Sequence, residues 1–207
     1  MTDIEDRNHA MQPNNRDLNL LTHRLKFETN DTHDTVDNLV MSVNPFANVG
    51  NYGKFLQLQE IFHKIVDDIY AREDLNAAIP GLAETARHAA VLADMADLNV
   101  EKFEIDALPA LKPEEAIGWL YCAEGSNLGA AFLYKEVNKI DLDNNRGARH
   151  LAAHSDGRGK HWRAFSEKLN AMELDEVARQ AAVNGTKEAF NYYKKLLRTI
   201  FELPEAA

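Results

Sequence analysis

GWLYCAEGSNLGAAFLYK, residues Gly118–Lys135, joins a strongly helical composition to two glycines set where a helix tolerates them least. Pro113-Glu114-Glu115 precedes it. Proline suits a first helical turn and acids suit the positive end of the helix dipole, so a helix is predicted from here to about Lys139. Within it Leu120, Ala123, Glu124, Leu128, Ala130, Ala131 and Leu133 are good helix formers, yet Gly125 and Gly129 interrupt them. Each interior glycine costs about 1 kcal/mol relative to alanine. Four residues apart, the two share one face and leave bare backbone on it. That face suits either a close helix–helix contact or a flat ligand, with any small molecule bound to it, pressed against the backbone. Glycine would also let the helix bend and open a slot.

The chain has 207 residues, enough for one well-buried domain and short for two. A net charge of −10 disfavours nucleic acid and anionic membrane surfaces as partners. The single cysteine, Cys122, excludes an internal disulfide and any multi-cysteine zinc or iron–sulfur site, which suits the cytoplasm. Met1–Arg16 has no apolar core of the signal-peptide kind, and no run approaches the ~18 apolar residues of a membrane helix. The ending FELPEAA is not a hydrophobic anchor. The expectation is a cytoplasmic protein without a membrane anchor.

Residues 1–17, rich in Asp, Asn, Arg and Gln, are expected to form a mobile tail, and 18–207 a single all-helical domain. Apolar residues at helical spacing predict a first helix from Leu18 to about Met41, bent at the polar patch Thr29–Asp31. Asn51–Tyr70 is a strongly amphipathic second helix, and Leu82–Leu98 an alanine-rich third. After the glycine helix, Asp141–Gly159 is a loop rich in Asn, Gly, Arg and His. Lys160–Met172 and Asp175–Leu203 close the chain as helices, the last split or frayed at Asn184-Gly185. No segment alternates apolar and polar residues with hairpin signals. The fold class is therefore all-α, of about seven to nine helices.

Histidine carries the most chemical information. His33 falls on or beside the apolar stripe of the first helix, either as a hydrogen-bonded boundary residue or as an axial metal ligand. Gln59 and His63 share one face of the second helix, as a solvated flank or as a polar wall of a pocket. His150 and His154 have the spacing of a helical metal pair, but their Gly, Asn and Asp neighbours argue against a helix there. Ser126 lacks the surroundings of a nucleophile elbow, and Cys122 has no cation to stabilise a thiolate, so packing is its expected role. A histidine on one helix and a bare face on another could enclose a porphyrin, with one protein ligand on its iron and an open side for oxygen.

The blocks HDTVDNLVMSVNPF, YGKFLQLQEIFHKIVD, AIGWLYCAEGSNLGAAFLYK, GARHLA, DGRGKHWRAF and EAFNYYKKLLR closely resemble, in order and spacing, the bacterial HemO-type haem oxygenases. The likeness runs from about Leu25 to Phe201. It implies a single-domain helical fold with haem b sandwiched between a proximal and a distal helix. By resemblance, His33 matches the proximal iron ligand, and Gly125, Ser126 and Gly129 match the distal helix. Lys26 and Tyr121 match the propionate contacts, and Gln59, His63 and Trp162 the polar positions of the distal hydrogen-bond network. The implied activity is cleavage of haem to biliverdin, carbon monoxide and ferrous iron, by a monomer using O2 and electrons from a reductase or small redox protein. Iron acquisition is the implied purpose. A haem storage or delivery protein, and a helical interaction module without cofactor, are the other readings of the same residues.

Overall fold

Residues 17–204 are described by the structure, a computed structural model. Seven α-helices follow one another among them: α1 (Leu21–Ser42), α2 (Val49–Tyr70), α3 (Glu73–Ala78), α4 (His88–Asp97), α5 (Ala116–Asn138), α6 (Arg158–Asn170) and α7 (Glu176–Ile200). Single 3₁₀ turns lie at Asp17–Asn19, Ala83–Thr85, Pro113–Glu115 and Arg149–Leu151, and no β-strand forms among the described residues. The stretch expected as an N-terminal tail falls, but for Asp17, outside the described residues.

Local chemistry sets the boundaries. The Asn48 side chain accepts from the Asn51 N–H at the start of α2, and Asp175 does the same for Ala178 at the start of α7. Proline opens the turn that leads into α5. Between Tyr70 and Pro113 the sequence reading is corrected. The expected Leu82–Leu98 helix is a 3₁₀ turn and the shorter α4, separated by Ala86 with ψ of 138°. The short α3 was not foreseen. In α1, Thr29 is buried and its hydroxyl donates to the Leu25 carbonyl at 2.7 Å, so the polar patch is absorbed into one continuous helix.

Nor is α7 split at Gly185. A Cβ there would lie 2.1 Å from the Glu115 carbonyl oxygen; one on Gly118 would lie 2.2 Å from the Ala182 carbonyl oxygen and 2.3 Å from the Thr186 nitrogen. Gly118 and Gly185 thus let α5 and α7 meet backbone to backbone. Beyond this crossing the core is made by α2, buried over most of its circumference, against α4, α5 and α7. Phe62 stacks on the fully buried Trp119 with centroids 6.0 Å apart. Large side chains buried this completely contribute about 1.5–3 kcal/mol each.

The loop after α5 buries Leu142, Ala148 and Leu151 in the core and is also held by polar contacts. Tyr52 donates its hydroxyl to the Gly147 carbonyl at 2.7 Å, the Gly147 N–H donates to Asp97 at 2.8 Å, and Arg149 pairs with both Asp94 and Asp97. These tethers bring His150 inward.

Candidate active site

α1 and α5 face each other across a cavity of about 750 Å³, within the size range of small-molecule and cofactor sites. α2 and α7 close its back, and Trp162 of α6 and Leu151 complete one side. Every residue assigned to the site by the family resemblance lines it: Lys26 and His33 from α1, Gln59 and His63 from α2, Tyr121, Gly125, Ser126 and Gly129 from α5, and Trp162.

His33 is half exposed, its imidazole edge-on to Phe190 with centroids 5.6 Å apart. Its Nδ1 lies 3.5 Å from Asp37 Oδ2 and 3.8 Å from Asp34 Oδ1, so Nε2 is the nitrogen left to the cavity. Both gaps are longer than a good hydrogen bond yet close enough for the carboxylates to attract an Nδ1–H.

The two central glycines of α5 do not serve helix packing. A Cβ on Gly129 would meet nothing within 4 Å, and one on Gly125 only the edge of the Trp162 ring at 3.7 Å, an ordinary contact. The close-packing glycines are Gly118 and Gly185, which the spacing argument had passed over. The bare face opposite His33 therefore looks onto open space. Ser126 is exposed, and its hydroxyl donates to the Ala123 carbonyl at 2.7 Å. Exposed Leu128 and Phe132 extend the rim of the cavity.

The back wall is polar and buried. His63 is only 3 % exposed, which overturns its reading as a solvated flank. Burial, helped by the fields of His150, Arg87 and His88, pushes its pKa down to about 3, so the ring is neutral throughout the physiological range. Its Nδ1 is buried without a partner, as are Arg87 Nε, Asn127 Nδ2 and His150 Nε2, all from residues that line the same cavity. Orphaned buried polar atoms are costly, and such a cluster is where ordered water is held. Gln59 Nε2 donates to the Tyr193 hydroxyl at 2.7 Å. Burial raises the Tyr121 phenol to about 12, so it remains an O–H donor. Cys122 is packed as expected: its thiol donates to the Thr186 carbonyl at 3.7 Å and burial keeps it protonated.

Arg87 and Asn127 were missed in the sequence, and His150 was weighed only as half of a metal pair. The structure parts that pair. His150 is held by Asp94, whereas His154 stacks on His161 with centroids 3.8 Å apart. Among the described residues no group of three or more His, Cys, Asp or Glu could hold a metal ion. A metal at His33 has to bring its remaining ligands with it, as a porphyrin does. A deep apolar slot, one available imidazole nitrogen and a side-chain-free wall opposite fit haem.

The sequence matches the family described as Heme oxygenase over residues 19–199. The chain belongs to the haem oxygenase family. It is 39 % identical over 195 residues to heme oxygenase PigA of Pseudomonas aeruginosa, covering 93 % of this chain and 98 % of that protein. Its fold matches the haem oxygenase of Neisseria meningitidis, solved in NO- and CO-bound forms, with a TM-score of 0.88 and 54 % identity. That match covers 91 % of this chain and 95 % of the other. The all-helical haem oxygenase architecture expected from the sequence is thereby established. No helix among the described residues is long and apolar enough to cross a membrane.

Proposed function

We propose that this haem oxygenase cleaves haem oxidatively to biliverdin, carbon monoxide and ferrous iron, with His33 as the sole protein ligand to the iron. The observation that carries the assignment of the site is the Gly125–Gly129 face. It is bare, opposite His33, and explained by no neighbouring helix. Bound haem supplies both the iron at which O2 reacts and the porphyrin that is consumed.

The chain's own residues do the rest. His33 gives a neutral imidazole, which lacks the electron push of a thiolate. Asp37 and Asp34, beside Nδ1, orient the ring. The glycines leave room for a diatomic ligand and put no acid–base side chain against it. Protons come instead by way of water held on the back wall, where His63, Arg87, Asn127 and His150 offer unpartnered polar atoms. Gln59 and Trp162 flank that wall. Lys26, exposed and without an ion-pair partner among the described residues, and the neutral Tyr121 phenol are placed to receive the two propionates. A reductase or small redox protein supplies electrons to a cytoplasmic monomer, and iron acquisition from haem is the purpose.

Titrating the purified protein with haemin, then adding reductant under O2 and analysing the product, tests the reading. The expected result is a single-histidine haem spectrum that gives way to biliverdin. A stable bis-histidine spectrum with no turnover would identify a haem carrier instead, and no spectral change on adding haemin would remove the cofactor altogether.

A further inference from the structure

Asp94 of α4 is completely buried, and three N–H donors and the His150 ring converge on its carboxylate. Oδ1 accepts from the Arg149 backbone N–H at 2.9 Å and from Arg149 Nη1 at 3.2 Å. Oδ2 accepts from the His150 backbone N–H at 2.9 Å and lies 2.7 Å from His150 Nδ1. Backbone N–H groups and a guanidinium can only donate, so both oxygens are acceptors in this arrangement. With both oxygens accepting, the proton between Oδ2 and the imidazole is assigned to His150 Nδ1. The ring's lone pair is then on Nε2, the atom that is buried, unpartnered and on a residue lining the cavity.

We propose that Asp94 is a positioning residue of the haem oxygenase site: it locks His150 in the Nδ1–H tautomer, so that Nε2 faces the cavity as a hydrogen-bond acceptor for water over the glycine face. In the other tautomer the same atom would be a donor and the water would turn its hydrogens away. Arg149 pairs with the carboxylate and holds it in place without lining the cavity. The backbone bonds from Arg149 and His150 fix the ring's height on its short turn. Burial lowers the His150 pKa against the pull of Asp94, so the ring stays a neutral acceptor. The groups facing it are Asp94 on α4, Arg87, whose Nη1 donates to the His150 carbonyl at 2.6 Å, and His63 on α2. The tautomer belongs to the protein alone. Only its consequence for turnover rests on the haem oxygenase reading.

Long-range ¹H–¹⁵N correlation spectra of histidine-labelled apo protein read the tautomer directly, with His150→Gln identifying the signal. A neutral Nδ1–H ring from about pH 6 to about pH 8 is expected, spanning the range in which an ordinary histidine titrates. An Nε2–H ring, or an imidazolium in that range, overturns the proposal without any variant at Asp94. In Asp94→Asn the amide cannot accept on its NH₂ side. The His150 signal should shift toward Nε2–H, haemin affinity should be little changed, and biliverdin formation should fall about 10- to 100-fold with an altered pH profile. Arg149→Gln, which loosens the same network elsewhere, should keep the tautomer. Unchanged tautomer and turnover in a folded Asp94→Asn protein would refute the role. Absence of biliverdin from the unsubstituted protein would instead refute the haem oxygenase reading and leave the tautomer result standing.

Discussion

Replacing Gly129 with alanine puts the chemistry of the slot and the stability of the fold in opposition. The residue sits inside α5 without a left-handed backbone angle, and its added Cβ would meet no atom within 4 Å. Relief of the glycine penalty should then stabilise the apo protein by up to about 1 kcal/mol. For a domain of this size that is a rise in melting temperature of roughly 2–4 °C. The methyl group would project into the space that admits O2 or would press on the porphyrin, so biliverdin formation should slow. Gly125→Ala should behave alike, since its Cβ would touch only the Trp162 ring at 3.7 Å. Gly118→Ala is the contrasting variant. Its Cβ would be driven to 2.2 Å from the Ala182 carbonyl oxygen, an overpacking that costs at least the usual 1–3 kcal/mol and separates two helices. Thermal melts of the three apo variants beside single-turnover spectra of their haem complexes provide the measurement. A Gly129→Ala protein that melts lower than the parent and turns haem over normally would refute the reasoning.

His33→Ala should still take up haem through apolar burial but lose turnover, with partial recovery on adding imidazole; normal biliverdin formation would remove His33 as the ligand. Lys26→Ala removes an exposed charge contact worth at most about 1 kcal/mol, so haemin titration should show binding weakened only a few-fold, while product analysis shows a changed mixture of biliverdin isomers. His63, whose folded pKa of about 3 lies below its ordinary value, binds fewer protons folded than unfolded. Its contribution to stability is therefore present above about pH 6.5 and is lost as pH falls toward 3. Apo melts between neutral pH and about pH 5 should show that decline, and His63→Gln should flatten it; an equally steep decline in the variant would point to other groups.

Helix identity was legible where one apolar face repeats every three to four residues, as in α2, and where punctuation is strong, as at Pro113. It failed between Tyr70 and Pro113, where alanines satisfy a helix pattern without saying where the helix begins. At Gly185 the sequence pattern suggested a break, but glycine there reflects how close a distant helix comes, which no local pattern contains. The same limit explains Gly118. In the site, the wall-lining residues stood out because blocks of this sequence resemble a known family; spacing alone left both His33 and His63 between two readings. Arg87, Asn127 and Asp94 were invisible because each acts through tertiary neighbours: a buried carboxylate shows its meaning only once the loop carrying His150 has folded onto it.

The slot between α1 and α5 has a thermodynamic consequence. Haem bound there as proposed would fill space between core helices, so the substrate would for a time be part of what holds the protein together. Saturation at a hundred times the dissociation constant would raise the unfolding free energy by about 2.7 kcal/mol. Unlike a permanent prosthetic group, this filler is opened and released at each catalytic cycle. The stability of the folded state would then rise and fall with the supply of haem.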